Sequence, residues 1–469
     1  MCEGIAGELL GIDLGDKRLN RRSVNVLEAL AADPQASVNG ACAGWADTLA
    51  AYRLFNHESV TPERILEPHR WQTSRRIAEH PVVLIVQDTT ELDFSDHPPR
   101  DARCLDHENR FGMYQHLQLA ITPQRLPLGV VGSECFDRAP ESLGQTKQRS
   151  SLPIEEKESF RWLEGYRQAC ELARECPGTR IVSVADREAD LYDIFVEAQQ
   201  QQEQDGPHAD FLIRAKVDRR TLERDPDAGA AAYRKVRDEV HRSKLLATRV
   251  VELGTTPKRA ARQATLAVRA LRVTVKPPHA RSHLPPVTIH VVLAEELDAP
   301  GDGSDVSWLL LTTLPIDTLE EVLQTLDFYV ARWTIELYFR TLKTGCRVEE
   351  MQLETKSRLQ NCLAFYNIIA WRILYLTYLN RTSPTLPCTA IFEPAEWKSV
   401  WCVVQKRPLP RTPPTLAEFL KLLTHLGGYN NRATEHAPGP QPLWIGLRRM
   451  LDFATAWLNF GPDRNETCV

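Results

Sequence analysis

Two short apolar runs, each followed by an aspartate, constrain the fold of this chain more than any other feature. They read PVVLIVQD at 81–88 and RIVSVAD at 180–186. Near-continuous β-branched runs of this length are typical of central strands that are buried on both faces of a sheet. Asp88 and Asp186 would then lie at the carboxyl ends of strands, where open α/β sheets place their sites. One such aspartate is more often a turn residue, but two predict an α/β fold with paired carboxylates at one sheet edge.

A third acid lies in the stretch YVARWTIELYFRTLK, residues 329–343. On an uninterrupted helix that turns by about 100° per residue, Tyr329, Arg332, Glu336 and Lys343 would share one narrow stripe. The rest of the helix is largely apolar, so this polar stripe faces either solvent or a site. The spacing alone leaves both interpretations open, because surface ion-pair stripes are common.

The N-terminal region, 1–72, is predicted to be helical. Helices are expected from Gly15 or Asp16, around 43–56, and near 62–78. The first turns of the first helix are strongly basic, through Lys17, Arg18, Arg21 and Arg22. Such a module suits binding to DNA, although a basic helix face is more often only solvated.

Charge is segregated along the chain. The net charge of −5 argues mildly against a nucleic-acid partner, yet residues 211–280 hold 17 Lys and Arg against seven Asp and Glu. Strand patterns between about 211 and 310 indicate a β-rich insertion with a basic face. Its polar tract at 219–262 is also compatible with a solvated loop.

The cysteines and the apolar runs bear on the compartment. The 11 cysteines are scattered without a C-x-x-C pair, which favours reduced thiols in the cytosol over disulfides or structural zinc. The start of the chain does not have the pattern of a signal peptide. The most apolar run, 362–379, contains Asn367 and Arg372, so it is predicted to be a buried core helix and not a membrane span.

The spacing Y-x2-R-x3-E-x6-K at 329–343 resembles the signature of the cut-and-paste DDE transposases of the insertion-sequence four family. VADREAD is similar to the second catalytic motif of that family, and the basic N-terminal helix is similar to its DNA-binding domain. LGGYNNR and PGPQPLWIGLRRMLDF resemble its C-terminal region, which contributes to dimerisation. The resemblance implies an α/β, ribonuclease-H-like catalytic core at 73–380 that carries the insertion. A helical DNA-end-binding domain at 1–72 and a helical dimerisation region at 381–469 would flank it.

The resemblance also implies roles for individual residues. Asp88, Asp186 and Glu336 would be the catalytic metal ligands, and this set of hard oxygen donors favours two Mg²⁺ ions, with Mn²⁺ as a substitute, over zinc. DNA contacts are expected from Tyr329, Arg332, Lys343, Trp308, Arg214 and Lys216. Trp308 would stack on a base flipped out of the transposon end, whereas from its position at a strand start alone it would be core packing.

The function that the resemblance implies is excision and insertion of DNA by a homodimer in the bacterial cytoplasm, associated with the nucleoid. A first nick, a hairpin, opening of the hairpin and joining to target DNA would follow one another at one site. Two alternatives remain: a plain metal-dependent nuclease of the same fold, and a domesticated DNA-binding protein that no longer catalyses. A membrane partner is not expected.

Overall fold

The computed structural model describes residues 4–42, 44–105, 109–138, 153–224, 232–253, 261–301, 305–430 and 440–462. The chain folds into two compact units that are both discontinuous in sequence. Unit 1 consists of 1–76, 89–143 and 334–469, and unit 2 of 77–88 and 144–333. The linear domain bounds predicted from the sequence stay a prediction.

The helices of the described residues are as follows: α1 Lys17–Ala32, α2 Val38–Ala41, α3 Trp45–Phe55, α4 Pro62–Ile77, α5 Phe160–Glu175, α6 Tyr192–Glu203, α7 Val236–Arg242, α8 Leu319–Ala331, α9 Thr334–Arg340, α10 Lys356–Thr382, α11 Pro394–Gln405, α12 Leu416–Leu426 and α13 Pro440–Phe460. The strands are β1 Val82–Asp93, β2 Arg103–Cys104, β3 Phe111–Ile121, β4 Pro127–Phe136, β5 Arg180–Ala185, β6 Asp210–Arg214, β7 Arg220–Arg224, β8 Tyr233–Lys235, β9 Ala247–Leu253, β10 Arg262–Val275, β11 Val287–Glu296 and β12 Ser307–Thr312.

Unit 2 is built on a mixed sheet. Its strands follow the order β1-β5-β6-β12-β11-β10-β7-β8, and β9 pairs with β10. β1, β5 and β6 are parallel, and the remaining pairs are antiparallel. The interior positions of β5 are buried on both faces, as its continuous apolar run predicts.

The predicted β-rich insertion is confirmed as a region of strands. The polar tract at 219–262 is not a plain loop, because its described part contains β7, β8, α7 and β9. Strand β9 alternates between half-buried and exposed positions, as expected for a strand that covers the sheet with one face only.

Unit 1 combines the N-terminal helices, the β3–β4 hairpin and the C-terminal helices. Helix α1 begins where the sequence predicts, since Asp16 is its N-cap and accepts the Arg18 N–H at 2.7 Å. Helix α10 lies at the centre of this unit. Among the described residues it is the helix long and apolar enough to cross a membrane, but 89% of its most apolar stretch is buried inside the protein. It is therefore a core helix, as the polar residues within it predict.

The first strand extends further than predicted. The sequence pattern predicts that it ends at Asp88, whereas β1 continues to Asp93. Its first five residues, Val82–Val86, pair in parallel with β5. The continuation of the strand, TTELD, is less apolar than its first part. Directly after it, the Phe94 N–H donates to the Phe111 carbonyl at 2.8 Å. Hydrogen bonding to a different partner strand prolongs β1 beyond its apolar part.

A buried polar cluster joins the N-terminal segment to the core of unit 1. His69 is fully buried, and its Nε2 accepts the Val130 N–H at 3.0 Å. Its Nδ1 therefore carries the proton and donates to Glu8 Oε2 at 2.5 Å. Arg76 donates to both Glu8 oxygens at 2.9 and 3.1 Å and to the Leu128 carbonyl at 2.6 Å.

Burial lowers the pKa of His69, even though Glu8 opposes the shift. Burial disfavours the ionised Glu8 carboxylate, but its bonds to His69 and Arg76 outweigh this and bring the pKa of Glu8 below its usual value. The folded state thus holds a neutral imidazole between an N–H donor and an ionised carboxylate.

We expect this cluster to make stability pH-dependent. The pKa of His69 in the folded state lies below its ordinary value of 6.5, so the unfolded chain takes up this proton at a higher pH than the folded protein does. The contribution of neutral His69 to the free energy of unfolding is therefore complete above pH 6.5 and decreases as the pH falls below it. The loss reaches at most about 1.4 kcal/mol per pH unit. Urea unfolding between pH 7.5 and about 5.5 measures it.

The substitution His69→Gln, whose amide can donate and accept at both partners, should remove this additional slope. His57→Gln, at an exposed histidine, serves as the control and should retain it. An unchanged slope in His69→Gln would contradict the assignment of a neutral, buried His69.

Candidate active site

The parallel pairing of β1 and β5 sets the level of the two predicted aspartates. The paired residues run from Val82 with Arg180 to Val86 with Val184. Asp88 lies two residues beyond the last pair within β1, and Asp186 directly follows Ala185, the last residue of β5. Adjacent strands are about 4.8 Å apart, so a register that continued beyond the last pair would place the two carboxylates at the same level.

Helix α5 supports this part of the sheet at very close range. Gln87, next to Asp88, donates to Ser183 Oγ at 2.7 Å across the β1–β5 pair. An added Cβ at Gly165 of α5 would lie 2.1 Å from the side-chain amide oxygen Oε1 of Gln87, so a larger residue there would displace the Gln87 side chain. The residue before Asp88 is therefore held by both a hydrogen bond and packing.

Asp186 also organises the turn that follows β5. Its carboxylate accepts the Glu188 N–H at 2.8 Å and caps a short 3₁₀ turn at Arg187–Ala189. The last acid of the motif, Asp190, is buried and accepts the backbone N–H groups of Lys216 and Val217 at 2.8 and 2.9 Å. Asp190 is also ion-paired with Arg219.

Sequence reasoning did not identify the role of Asp190. Its hydrogen bonds fix the backbone immediately after β6, where Arg214 and Lys216 lie. The available signal was the second aspartate in VADREAD, four residues after Asp186.

Asp88 is ion-paired with Arg332. The Arg332 Nη1 lies 3.0 Å from Asp88 Oδ2, and the two side chains are 8% and 21% exposed. The predicted phosphate-binding arginine therefore neutralises one of the predicted metal ligands in this structure. Both residues belong to unit 2.

The single helix predicted across 329–343 is wrong. Helix α8 ends at Ala331, and α9 begins at Thr334. Between them, the N–H groups of Arg332 and Trp333 bond to carbonyls three residues earlier, at 3.1 and 3.4 Å, as in a tight turn. The stripe that assumed a constant rotation per residue therefore does not exist, although the spacing of the four residues in the sequence is unchanged.

Tyr329 and Trp308 are packed in the interior of unit 2. They are 3% and 6% exposed, their ring centroids are 5.7 Å apart, and Trp308 also lies 5.8 Å from Trp333. Burial raises the pKa of Tyr329 despite the nearby Arg332 and Arg214, so its phenol stays protonated and can donate a hydrogen bond. Arg214 itself donates to the Ser307 carbonyl at 3.2 Å. In this structure Trp308 has the packing role that its strand position alone suggests.

Glu336 and Lys343 lie in unit 1. Glu336 is exposed on α9, and Lys343 lies in the π-helical turn Thr341–Gly345 that follows. Lys343 Nζ is 3.4 Å from Glu349 Oε1, and the same oxygen accepts the Asp93 N–H at 3.0 Å. Glu349, which sequence reasoning did not select, thus ties Lys343 to the end of β1.

Asp88 and Asp186 offer carboxylate oxygens, which are the ligands that hard cations such as Mg²⁺ prefer. Over the described ranges, however, no group of three or more His, Cys, Asp or Glu side chains is arranged to hold a metal ion. The two aspartates are a partial donor set, and one of them is engaged by Arg332.

Three of the four basic residues predicted on α1 line a groove. Arg18, Arg21 and Arg22 face a cavity of about 540 Å³ that is also lined by residues of α1, α2 and α3 and of the segment between α2 and α3. Lys17 is exposed and does not line it. The groove therefore presents a basic face at the N-terminal helices of unit 1.

The basic insertion is less positive than its composition suggests. Several of its arginines are ion-paired with acids that lie outside 211–280 in the chain: Arg237 with Glu295, Arg262 with Glu296, Arg249 with Asp327 and Arg219 with Asp190. Lys216 is exposed, whereas Arg214 is half-buried.

Three family models match this chain. A "Transposase DNA-binding" model matches residues 1–60, a "Transposase DDE domain" model matches 167–372, and a "Transposase Tn5 dimerisation domain" model matches 368–458. The second match includes Asp186 and Glu336 and begins after Asp88.

We expect the ion pair between Asp88 and Arg332 to stabilise the metal-free, DNA-free protein. Asp88→Asn should lower the free energy of unfolding by about 1–3 kcal/mol, because it leaves a largely buried guanidinium without its charged partner. A double-mutant cycle with Arg332→Gln, measured by urea unfolding in EDTA, isolates the coupling. Additive effects of the two substitutions would contradict this pairing in solution.

Proposed function

Because this chain belongs to the Tn5-like DDE transposases, we propose that it is a cut-and-paste enzyme of the insertion-sequence four family. Its DNA-binding and dimerisation domains mean that it binds DNA and forms dimers, and its DDE domain makes it a nuclease or transposase. The finer proposal is that a dimer holds two transposon ends in one synaptic complex. It would then release them, through a hairpin, and join them to target DNA.

Asp88, Asp186 and Glu336 are the proposed catalytic acids and the proposed ligands of two Mg²⁺ ions, which Mn²⁺ can replace. When bound, such ions activate the attacking oxygen and stabilise the leaving oxygen of a phosphoryl transfer. The observation that most supports the assignment is the parallel pairing of β1 with β5, since Asp88 and Asp186 lie at or directly beyond the paired ends of these strands. Paired carboxylates at the ends of parallel strands are compatible with a ribonuclease-H-like core, which we propose for residues 73–380.

Arg332 has two proposed partners in turn. Without DNA it neutralises Asp88 at 3.0 Å, and with DNA its guanidinium would transfer to a phosphate, for which a planar fork is well suited. The transfer would release the Asp88 carboxylate at the moment when substrate arrives. Loading of the site would therefore depend on DNA.

The remaining proposed DNA contacts differ in how far they must move. Lys216 is already exposed, and Lys343 would exchange Glu349 for a phosphate. Tyr329 and Trp308 are buried, so stacking of Trp308 on a flipped base requires it to leave its present packing against Tyr329 and Trp333. Arg214 would contact phosphate from the end of β6, and Lys17, Arg18, Arg21 and Arg22 would bind the terminal repeat. We place the enzyme in the bacterial cytoplasm, on the nucleoid.

The proposal is tested by cleavage of linear duplex DNA that carries the terminal repeats of the element, in Mg²⁺ and in EDTA. We expect metal-dependent release of flanking DNA. Glu336→Gln should reduce it by more than about 100-fold, since even residues that only support a metal ligand contribute 10- to 100-fold. Glu320→Gln, at an exposed acid in the first turn of α8, should leave it unchanged.

Two results would favour the alternatives. Binding to the repeats without any cleavage would indicate a DNA-binding protein that has lost catalysis. Cleavage that ignores the repeat sequence would indicate a plain nuclease.

A further inference from the structure

Trp45 is unusually exposed for an indole. It is the first residue of α3 and is 77% exposed, whereas the residues one and two turns further on, Thr48 and Ala51, are buried. Large apolar side chains at the surface often mark an interaction site when they lie beside a functional feature. The feature beside Trp45 is the basic groove of the N-terminal helices.

The position of Trp45 relative to the groove follows from its neighbours. Cys42 and Asp47, which precede and follow it in the chain, both line the groove, so Trp45 begins the helix that forms one wall of it. The opposite wall is α1, where Arg18, Arg21 and Arg22 point into the cavity. Within the described part of the chain, Arg21 and Arg22 make no ion pair, so their charges face outward to solvent.

A second exposed tryptophan of unit 1 provides a contrast. Trp71 is 54% exposed, but its ring is covered by the guanidinium of Arg75 at 5.1 Å. None of the ring contacts among the described residues involves Trp45. Trp71 is thus satisfied within the chain, and Trp45 offers a bare aromatic surface.

We propose that Trp45 contacts the bases or sugars of the terminal-repeat duplex while the arginines of the groove hold its phosphates. This inference rests on the proposed function. Charge complementarity favours DNA as the occupant, because three guanidinium groups line the groove against the single carboxylate of Asp47. Apolar side chains of DNA-binding proteins pack against or between base steps. Aromatic rings can stack on any base, because every base has a π-face.

The two kinds of contact differ in their response to salt. A phosphate contact releases counterions, so its removal reduces the slope of log K against log[salt] by about 0.9. A contact to bases or sugars contributes to affinity but not to that slope. Trp45 should therefore change the affinity at every salt concentration by the same factor.

The test is fluorescence anisotropy of the full-length protein with labelled repeat duplex, from about 50 to 200 mM salt, the range over which phosphate contacts have large effects. We expect Trp45→Ala to weaken binding by about 10-fold or more with an unchanged slope, and Trp45→Phe to recover part of the loss. Arg21→Gln should weaken binding and reduce the slope. Trp71→Ala is the matched control and should bind like the wild type.

Three outcomes would overturn the inference. If Trp45→Ala binds like the wild type while Arg21→Gln is weakened, Trp45 does not contact DNA, and the proposed function stands. If Trp45→Ala reduces the slope as Arg21→Gln does, the tryptophan acts only through the arginines. If the wild-type protein does not prefer the repeat duplex over unrelated DNA, the proposed function fails together with the inference. Thermal melts of all variants exclude unfolding as the cause of a loss.

Discussion

The hydrogen-bonded register between β1 and β5 is the constraint on which the proposed site depends. The last recorded pair is Val86 with Val184, and a register continued by two residues would bring Asp88 level with Asp186. A slip of one residue would turn one aspartate to the opposite face of the sheet, because side chains alternate along a strand. The continuous apolar runs that form these strands bury them on both sides, and this burial fixes the register. The chemistry of the edge is therefore set by the core beneath it.

Two of the proposed DNA-binding cations are paired with acids in this DNA-free structure. A largely buried arginine neutralises Asp88 in the absence of substrate, and an acid holds Lys343 in the same way. A DNA phosphate that paired with Arg332 would leave the Asp88 carboxylate available, and one that paired with Lys343 would release Glu349. Arginine and lysine can exchange partners at modest cost when one charged partner replaces another in a partly desolvated site.

Local patterns predicted the elements of this fold well where one segment decides its own structure. The strand ahead of Asp186 and the Asp16 cap of α1 both follow from runs of residue types and a capping residue. The buried role of α10 follows from the polar residues in its apolar run.

The predictions from the sequence were wrong or incomplete where residues far apart in the chain determine the local structure. The break at Arg332 accompanies its ion pair with Asp88, which is 244 residues away in the chain. The basic excess of the insertion is reduced by partners such as Glu295 and Asp327, and spacing along the sequence cannot reveal them. Asp190 and Glu349 were missed for the same reason, since their roles lie in backbone groups 26 and 256 residues away.

The most direct test of the account asks whether Asp88, Asp186 and Glu336 share metal ions when DNA is bound. Fe²⁺ can replace Mg²⁺ in the complex with repeat duplex. Ascorbate with peroxide then cuts the polypeptide backbone close to the ion. If the three acids share the ions, cuts should appear near all three, and excess Mg²⁺ should suppress all of them. Cuts near Asp88 and Asp186 without one near Glu336, or cuts that Mg²⁺ does not suppress, would contradict it.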